Sequence, residues 1–283
     1  MIFRILFGIY LTVHFCQLIP YAEETFGNDM PYDYTISPVY GKFPNILEYV
    51  NATYFIIFLT IISISFACEL YSRVCAFILW YGWVALFNRN VLIHNPGLPY
   101  IGWILLAMTL VDKDDRKISF NTDNSFLKYI QYDKIPKRLF WSGWFLMAAG
   151  YTCSGLHKLL VSPSWVDGTG LQHVLESPIA RDNILRDTLV QYPTFLKYNT
   201  WFSLFLEISF LPLGVFYHTR LPFWLIYMGF HIGILFLINF TDLTLGVMMI
   251  HLFTFDWEWT SMINTYISNK KTKRHKKLKI HCD

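Results

Sequence analysis

Charged residues are scarce in this chain. Asp, Glu, Lys and Arg make up 15% of its 283 residues, whereas soluble domains carry roughly 25%. Hydrophobic residues account for 54% of the sequence, and the mean hydropathy is +0.35. Because the deficit of charge coincides with long apolar runs, the composition argues against an ordinary soluble domain. It predicts an all-α, polytopic membrane protein whose main partner is the lipid bilayer.

Several chemical signatures are also missing. No set of His, Cys, Asp and Glu residues has the spacing of metal ligands, so we expect no metal site. There is no phosphate-binding glycine loop and no nucleophile elbow. The five cysteines form no CxxC pair, which argues against a disulfide framework and thiol chemistry; they are Cys16, Cys68, Cys75, Cys153 and Cys282.

Eight apolar runs are candidates for membrane-spanning helices, which need about 20 residues each. The fourth and the eighth are short and could be tilted or partly re-entrant. The first lacks a cleavage site and is expected to stay in place. The runs cover residues 2–20, 52–71, 74–91, 99–111, 138–160, 200–218, 222–240 and 243–256.

The distribution of basic residues predicts the orientation of these spans. With both termini inside, about 17 of the 23 Lys and Arg residues lie on the inner side, as the positive-inside rule requires. An odd number of spans would destroy this bias. We therefore expect a transmembrane domain at residues 1–262 and a basic inner tail at residues 263–283. The tail attracts anionic lipids, and its position after a span argues against nucleic acid as a partner.

This topology leaves two long outer loops, at residues 21–51 and 159–199. The second loop contains two helix-like stretches, at residues 169–176 and 179–189. The later stretch places apolar residues on one side and charged residues on the other. It is equally consistent with a helix lying flat at the membrane interface and with a solvated surface helix.

Lys158 is the most informative residue near the second outer loop. It lies at the outer end of the fifth span. A lysine at this position either extends its ammonium group to water or becomes a desolvated base. The sequence leaves both alternatives open. His157 is its neighbour, and the glycine-containing turn that follows could cover it through Trp165, Asp167 and Gly168.

Two ionisable residues lie deeper in the predicted bundle. Glu207 and His231 occupy the sixth and seventh spans, where polar groups usually face the interior and find partners. They could hydrogen-bond each other, either to fix the packing of the helices or to relay protons. His94 and Asn95, in a short outer loop, could turn toward the same site or be ordinary loop residues. His14 and His251 are weaker candidates.

The segment SGLHKLLVSPSWVDGTGL, at residues 154–171, resembles the HTTM region, the membrane domain of the vitamin K-dependent gamma-carboxylase. The shared features are a small-residue–glycine pair, a lysine, a short spacer, and a tryptophan followed by an acidic-glycine turn. Weaker matches occur in the same order along the chain. They are FRILFGIYL, ELYSRVCAFILWYGWVALFNRN, HNPGLPYIGWILLAM and FHIGILFLINF.

The resemblance implies a role for several residues. Lys158 stands at the position of the lysine that deprotonates reduced vitamin K, and His231 and His94 match histidines of the family. By this resemblance the three are catalytic candidates, while His157, Trp165, Asp167, Gly168, Asn95 and Glu207 are candidates for binding the substrate or cofactor. The implied cofactor is a reduced quinone of the menaquinone or vitamin K type, with oxygen and carbon dioxide if the reaction is a carboxylation.

Two functions from different classes follow. We expect the chain to lack the large soluble domain of the carboxylase, so the quinone reaction could survive without recognition of a protein substrate. The alternative is a non-catalytic helper in the maturation or export of a small secreted peptide, such as a toxin. That alternative resembles the bacterial sporulation-delaying-protein maturation component B. Either function places the protein in a cell membrane, with the bacterial inner membrane expected and a peptide or soluble subunit as an outer partner.

Overall fold

The computed structural model describes residues 2–28, 45–111, 135–256 and 258–259. Within these residues the regular secondary structure is helical, apart from an isolated antiparallel bridge between Ala180 and Ile238. The prediction of an all-α fold is therefore confirmed. The basic tail at residues 263–283, the middle of the first outer loop and most of the inner segment after residue 111 lie outside the described residues.

The described residues form twelve α-helices, and each of the eight predicted runs falls on one of the longer ones. In chain order they are α1 (Ile2–Leu18), α2 (Ala22–Phe26), α3 (Ala52–Ala67), α4 (Ser72–Arg89), α5 (Leu98–Leu110), α6 (Lys137–Val161), α7 (Pro163–Val166), α8 (Gly170–Glu176), α9 (Ile184–Val190), α10 (Pro193–Gly214), α11 (Tyr217–Leu237) and α12 (Thr241–Phe253).

Several helix starts differ from the prediction, and two of them have a clear local cause. Helix α10 begins at Pro193 rather than at residue 200, because proline is well suited to the first turn of a helix. Helix α9 begins only at Ile184, where the Asn183 side chain accepts a hydrogen bond from the Arg186 amide at 2.9 Å. The residues before it pair instead with the end of α11, as the 2.8 Å hydrogen bond from the Arg181 amide to the Leu237 carbonyl shows.

The helices pack in two groups joined by α12. Helices α1, α3, α4 and α5 form one group, and α6, α10 and α11 form the other. Helix α12 contacts members of both groups, so the core is continuous across the bundle. Helices α7, α8 and α9 lie together at one end of the bundle, between the end of α6 and the start of α10. We call this the loop end.

Only two helical segments in the described chain combine the length and the hydropathy expected of a membrane span. They are Ile2–Phe26, with a mean hydropathy of 1.7, and Tyr217–Leu237, with 1.5. Three further apolar helices, α3, α5 and α12, have 13 to 16 residues. At 1.5 Å per residue these reach about 20–24 Å, less than the roughly 30 Å of a bilayer core. The number of spans and the inside position of both termini remain predictions.

Candidate functional site

Lys158 lies in the last turn of α6 and is paired with Glu207 of α10. The ammonium Nζ donates a hydrogen bond to Oε1 of Glu207 at 2.6 Å, and the two side chains are 24% and 7% exposed. The Ser154 hydroxyl donates to the other carboxylate oxygen at 3.4 Å. Lys158 therefore does not extend freely into solvent, because a largely buried carboxylate of a neighbouring helix holds its charge.

The tryptophan of the following turn covers this pair. The centre of the Trp165 ring lies 4.2 Å from Nζ of Lys158, within the range of a cation–π interaction, which contributes about 1 kcal/mol. Lys158, Glu207 and Trp165 thus come together as one site at the loop end. His157 is exposed on the surface of α6.

A glycine allows α6 and α10 to approach closely at this site. A Cβ atom on Gly155 would lie 2.8 Å from Cβ of Glu207 and 2.9 Å from the amide nitrogen of Ile208. Any larger residue would force the two backbones apart. The close crossing therefore places the carboxylate of α10 within reach of Lys158, one turn beyond the glycine.

A proline and a threonine stabilise the same crossing. Pro212 lies inside α10 and has no amide hydrogen for the carbonyl of Ile208. The Thr152 hydroxyl of α6 contacts that carbonyl at 3.4 Å and the Glu207 carbonyl at 3.2 Å. It also accepts a hydrogen bond from the Leu211 amide at 3.0 Å. Thr152 thus satisfies backbone groups of α10 and fixes the position of Glu207 along α6.

The turn that carries Trp165 is stabilised within itself. Gly168 adopts a φ of +87°, which glycine tolerates better than other residues. Asp167 is exposed and accepts hydrogen bonds from the Thr169 hydroxyl at 2.7 Å and the Thr169 amide at 2.9 Å. These two hydrogen bonds lower the pKa of the Asp167 carboxyl. The carboxylate therefore stabilises the turn at neutral pH, and this contribution is lost as the pH falls through the lowered value.

An open groove lies along the end of α6 and the start of the turn, in the residues that follow Lys158. Its volume is about 380 Å³, at the lower end of the range of small-molecule sites. Aliphatic side chains form most of its wall, and Asp167 adds a carboxylate. The lining residues are Leu159, Leu160, Val161, Ser162, Pro163, Val166 and Asp167.

The expectation that Glu207 and His231 bond each other is wrong. Glu207 is engaged with Lys158, while Nε2 of His231 lies 2.5 Å from the Tyr151 hydroxyl. The same hydroxyl lies 2.8 Å from Nε2 of His251 on α12. Tyr151, His231 and His251 form a buried polar cluster, which we call the Tyr–His–His cluster. It lies on the Lys158 face of α6, two helical turns from Lys158.

His94 and Asn95 have hydrogen-bond partners outside the Lys158 site. Nε2 of His94 bonds to the carbonyl of Phe87, and the Asn95 amide donates to Asp242 at 3.4 Å. Asp242, at the start of α12, also bonds Nδ1 of His14 at 2.6 Å. The structure therefore places Asn95 with His14 and Asp242, in a cluster that Lys158 does not contact.

Sequence reasoning did not select Tyr151 or Asp242, and it ranked His14 and His251 low. Tyr151 carried a usable signal, since it lies seven residues before Lys158 and so on the same helix face. Asp242 carried none, because its partners come from α1 and from the residues before α5. Among the described residues no group of three or more His, Cys, Asp and Glu side chains could hold a metal ion.

The fold and the site define an all-α, membrane-associated protein with a lysine–glutamate pair at one end of its helical bundle. The HTTM domain model matches residues 1–257, and the chain therefore belongs to the HTTM family. This is a membrane-associated family of carboxylase-like and maturation proteins. No curated protein and no solved structure matches the chain.

Proposed function

We propose that the protein is a multi-pass membrane enzyme that deprotonates and oxidises a reduced quinone of the menaquinone or vitamin K type. The observation that carries the proposal is the pairing of Lys158 with Glu207 under the Trp165 ring. Ionisable groups held between membrane helices usually have a functional role. Membership of the HTTM family supports the same proposal.

Glu207 supplies what a lysine base needs. Lys158 can accept a proton only as the neutral amine, and Glu207, at 2.6 Å, is placed to take the ammonium proton. The neutral amine then accepts the proton of a bound hydroxyl group. The O–H bond breaks, an N–H bond forms, and the new ammonium stabilises the oxyanion.

The residues at the loop end fit a flat, lipophilic ligand. The 380 Å³ groove is mostly apolar, and its lining begins at Leu159, the residue after Lys158. We propose that its wall holds a ring system while one hydroxyl approaches the amine. When bound, the reduced quinone would supply the electrons and oxygen would be the oxidant, and their reaction would supply a base strong enough for carboxylation. Trp165 shields the pair from water, which strengthens the electrostatic interactions in the site.

The test is oxidation of a reduced naphthoquinone by purified protein in lipid nanodiscs. We expect Lys158→Met to lower the rate about a hundred-fold, since a positioned acid–base group contributes at least this much. Lys137→Met, at an exposed lysine at the other end of α6, is the matched control and should keep the wild-type rate. Equal rates for wild type and Lys158→Met would overturn the role of the lysine. In that case retained function in cells would favour the helper role in peptide maturation.

We also propose eight spans in a bacterial inner membrane, with both termini inside and the loop end outside. In a variant lacking the native cysteines, Asp182→Cys places a thiol at a side chain that is 96% exposed. A membrane-impermeant maleimide should label it in intact cells. Cys282, restored alone, should react only after permeabilisation. Labelling of both positions from the same side would contradict the proposed topology.

The partner is proposed to be a secreted peptide or a soluble subunit that approaches the loop end. Ile184 of α9 is 85% exposed there, and Tyr192 just before α10 is 58% exposed. These side chains give the loop end an exposed apolar surface. Crosslinking from position 184 to a co-expressed small exported peptide, compared with crosslinking from Arg138 at the other end of α6, tests this assignment.

A further inference from the structure

The Tyr–His–His cluster has a hydrogen-bonding pattern that a static structural role does not need. Tyr151 is 8% exposed, His231 is 5% exposed and His251 is fully buried. Both imidazole rings direct Nε2 at the same phenol oxygen, at 2.5 and 2.8 Å. The phenol is thus shared between a histidine of α11 and a histidine of α12.

The chemistry of the three groups determines where the protons lie. A phenol has one hydrogen to donate, so it can donate to only one of the two Nε2 atoms. It must accept a hydrogen bond from the other. With both rings neutral, one histidine carries its proton on Nδ1 and the other carries it on Nε2. The two histidines therefore hold opposite tautomers, and the chain of hydrogen bonds has a direction.

The two Nδ1 atoms are the ends of this chain of hydrogen bonds. Nδ1 of His231 and Nδ1 of His251 are buried and have no hydrogen-bond partner among the described residues. Unpaired buried polar atoms are rare and call for an explanation. One of these atoms is a proton donor and the other a proton acceptor, as the ends of a proton-transfer chain must be.

We propose that Tyr151, His231 and His251 form a reversible proton-transfer chain inside the bundle. A proton enters at Nδ1 of the histidine whose Nε2–H points at the phenol, and that Nε2 proton passes to the phenol oxygen. The phenol proton passes to Nε2 of the second histidine, which releases its Nδ1 proton. One proton enters and one leaves, so charge and atoms balance. Rotation of the hydroxyl and exchange of tautomers restore the starting state.

The position of the chain suggests what it serves. Tyr151 precedes Lys158 by two turns of α6, about 10 Å along the helix axis. The Tyr151 ring stacks on Phe210 at 5.0 Å between centroids, and Phe210 follows Glu207 by one turn of α10. Tyr151 thus lies at the same α6–α10 contact as the Lys158–Glu207 pair, whereas the two histidines of the chain lie on α11 and α12. That it exchanges protons with this pair is an inference that rests on the proposed function.

The tautomers can be measured without any turnover. Full-length protein with ¹⁵N-labelled histidine in nanodiscs should give two buried rings of opposite tautomer, which exchange with each other. Tyr151→Phe keeps the ring packing but removes the hydroxyl, so this exchange should disappear. Tyr227→Phe is the matched control. Tyr227 is also buried, its ring lies 4.3 Å from that of Tyr151, and its hydroxyl has no partner among the described residues.

The outcomes separate the chain from the proposed function. Two rings of the same fixed tautomer, or spectra unchanged by Tyr151→Phe, would overturn the chain even if the protein oxidises quinols. If the wild type turns over, Tyr151→Phe should lower kcat about ten-fold and raise the solvent isotope effect, with KM unchanged. If Tyr151→Phe left kcat unaltered while the tautomer measurement gave the expected result, the link between the chain and Lys158 would be overturned. An inactive wild type with opposite tautomers would contradict the proposed function and leave the chain supported.

Discussion

Glu207→Leu should lower the free energy of unfolding by about 3 kcal/mol, because it leaves the Lys158 charge without its partner. Removing one member of a buried ion pair typically costs about 3–5 kcal/mol. We expect the lower end, since Lys158 is about one quarter exposed and can regain some hydration. Equilibrium unfolding in mixed micelles, followed by tryptophan fluorescence, measures the loss.

The matched control for this prediction is the double variant Lys158→Met and Glu207→Leu. Replacing both charges with apolar groups of similar size should restore most of the stability, as it does for other buried pairs. The double variant should nevertheless be inactive in the quinol assay, which separates loss of chemistry from loss of fold. If the double variant lost as much stability as the two single variants added together, the two residues would not be coupled.

Gly155→Leu should be at least as damaging, with an expected loss of about 3 kcal/mol or more. The atoms that a Cβ would meet at 2.8 and 2.9 Å include the backbone nitrogen of Ile208, which a change of rotamer cannot move. Gly155→Ala should cost about 1–3 kcal/mol, the usual range for overpacking. Both variants should also lengthen the Lys158–Glu207 contact and lower quinol turnover.

Gly229→Ala on α11 is the control for this series. A Cβ at Gly229 would have no neighbour within 4 Å, so alanine there should be neutral or stabilise the protein by about 0.5–1 kcal/mol. Both changes replace a helical glycine with alanine, and they differ only in what surrounds the new methyl group. Equal stability of Gly155→Ala and Gly229→Ala would contradict the close crossing of α6 and α10.

These predictions concern one structural arrangement. The site forms where two helices of the same group cross, and a glycine, a threonine and a proline determine how closely they cross. The reacting amine and its carboxylate therefore come from elements that are distant in sequence. Such a site is sensitive to small changes in backbone separation, because a shift of a few tenths of an ångström changes a 2.6 Å hydrogen bond.

The helices themselves were largely predictable. Long apolar runs bounded by polar residues gave all eight of the longer helices, and the glycine-containing turn after Lys158 was recognised in place. The start of α9 was not predicted, because the residues before it pair with the end of α11 and do not continue the helix. Helix formation does not by itself imply membrane crossing, since α5 and α12 are each 13 residues long and shorter than a bilayer core requires.

The site was predictable only in part. The sequence analysis selected three of its residues individually, because a charged group or an indole within or beside an apolar run is unusual. They are Lys158, Glu207 and Trp165. The turn was expected to be able to cover Lys158 through Trp165, but the pairing of Lys158 with Glu207 was not predicted, and Glu207 was considered as a partner of His231 instead. Tyr151 was not selected as a candidate, because a tyrosine in a membrane span is usually a packing or interface residue.

The sequence by itself determined the class of this protein, because hydrophobic periodicity and scarcity of charge are properties of the chain that need no partner. It also determined the family, through the order of residues around Lys158. Only the tertiary structure decided which polar groups meet. Hydrogen bonds between helices depend on how each helix is rotated and how closely it approaches its neighbour. These quantities arise from the packing of the whole bundle, in which Gly155, with Thr152 and Pro212, brings Glu207 to Lys158 and α12 brings His251 to Tyr151.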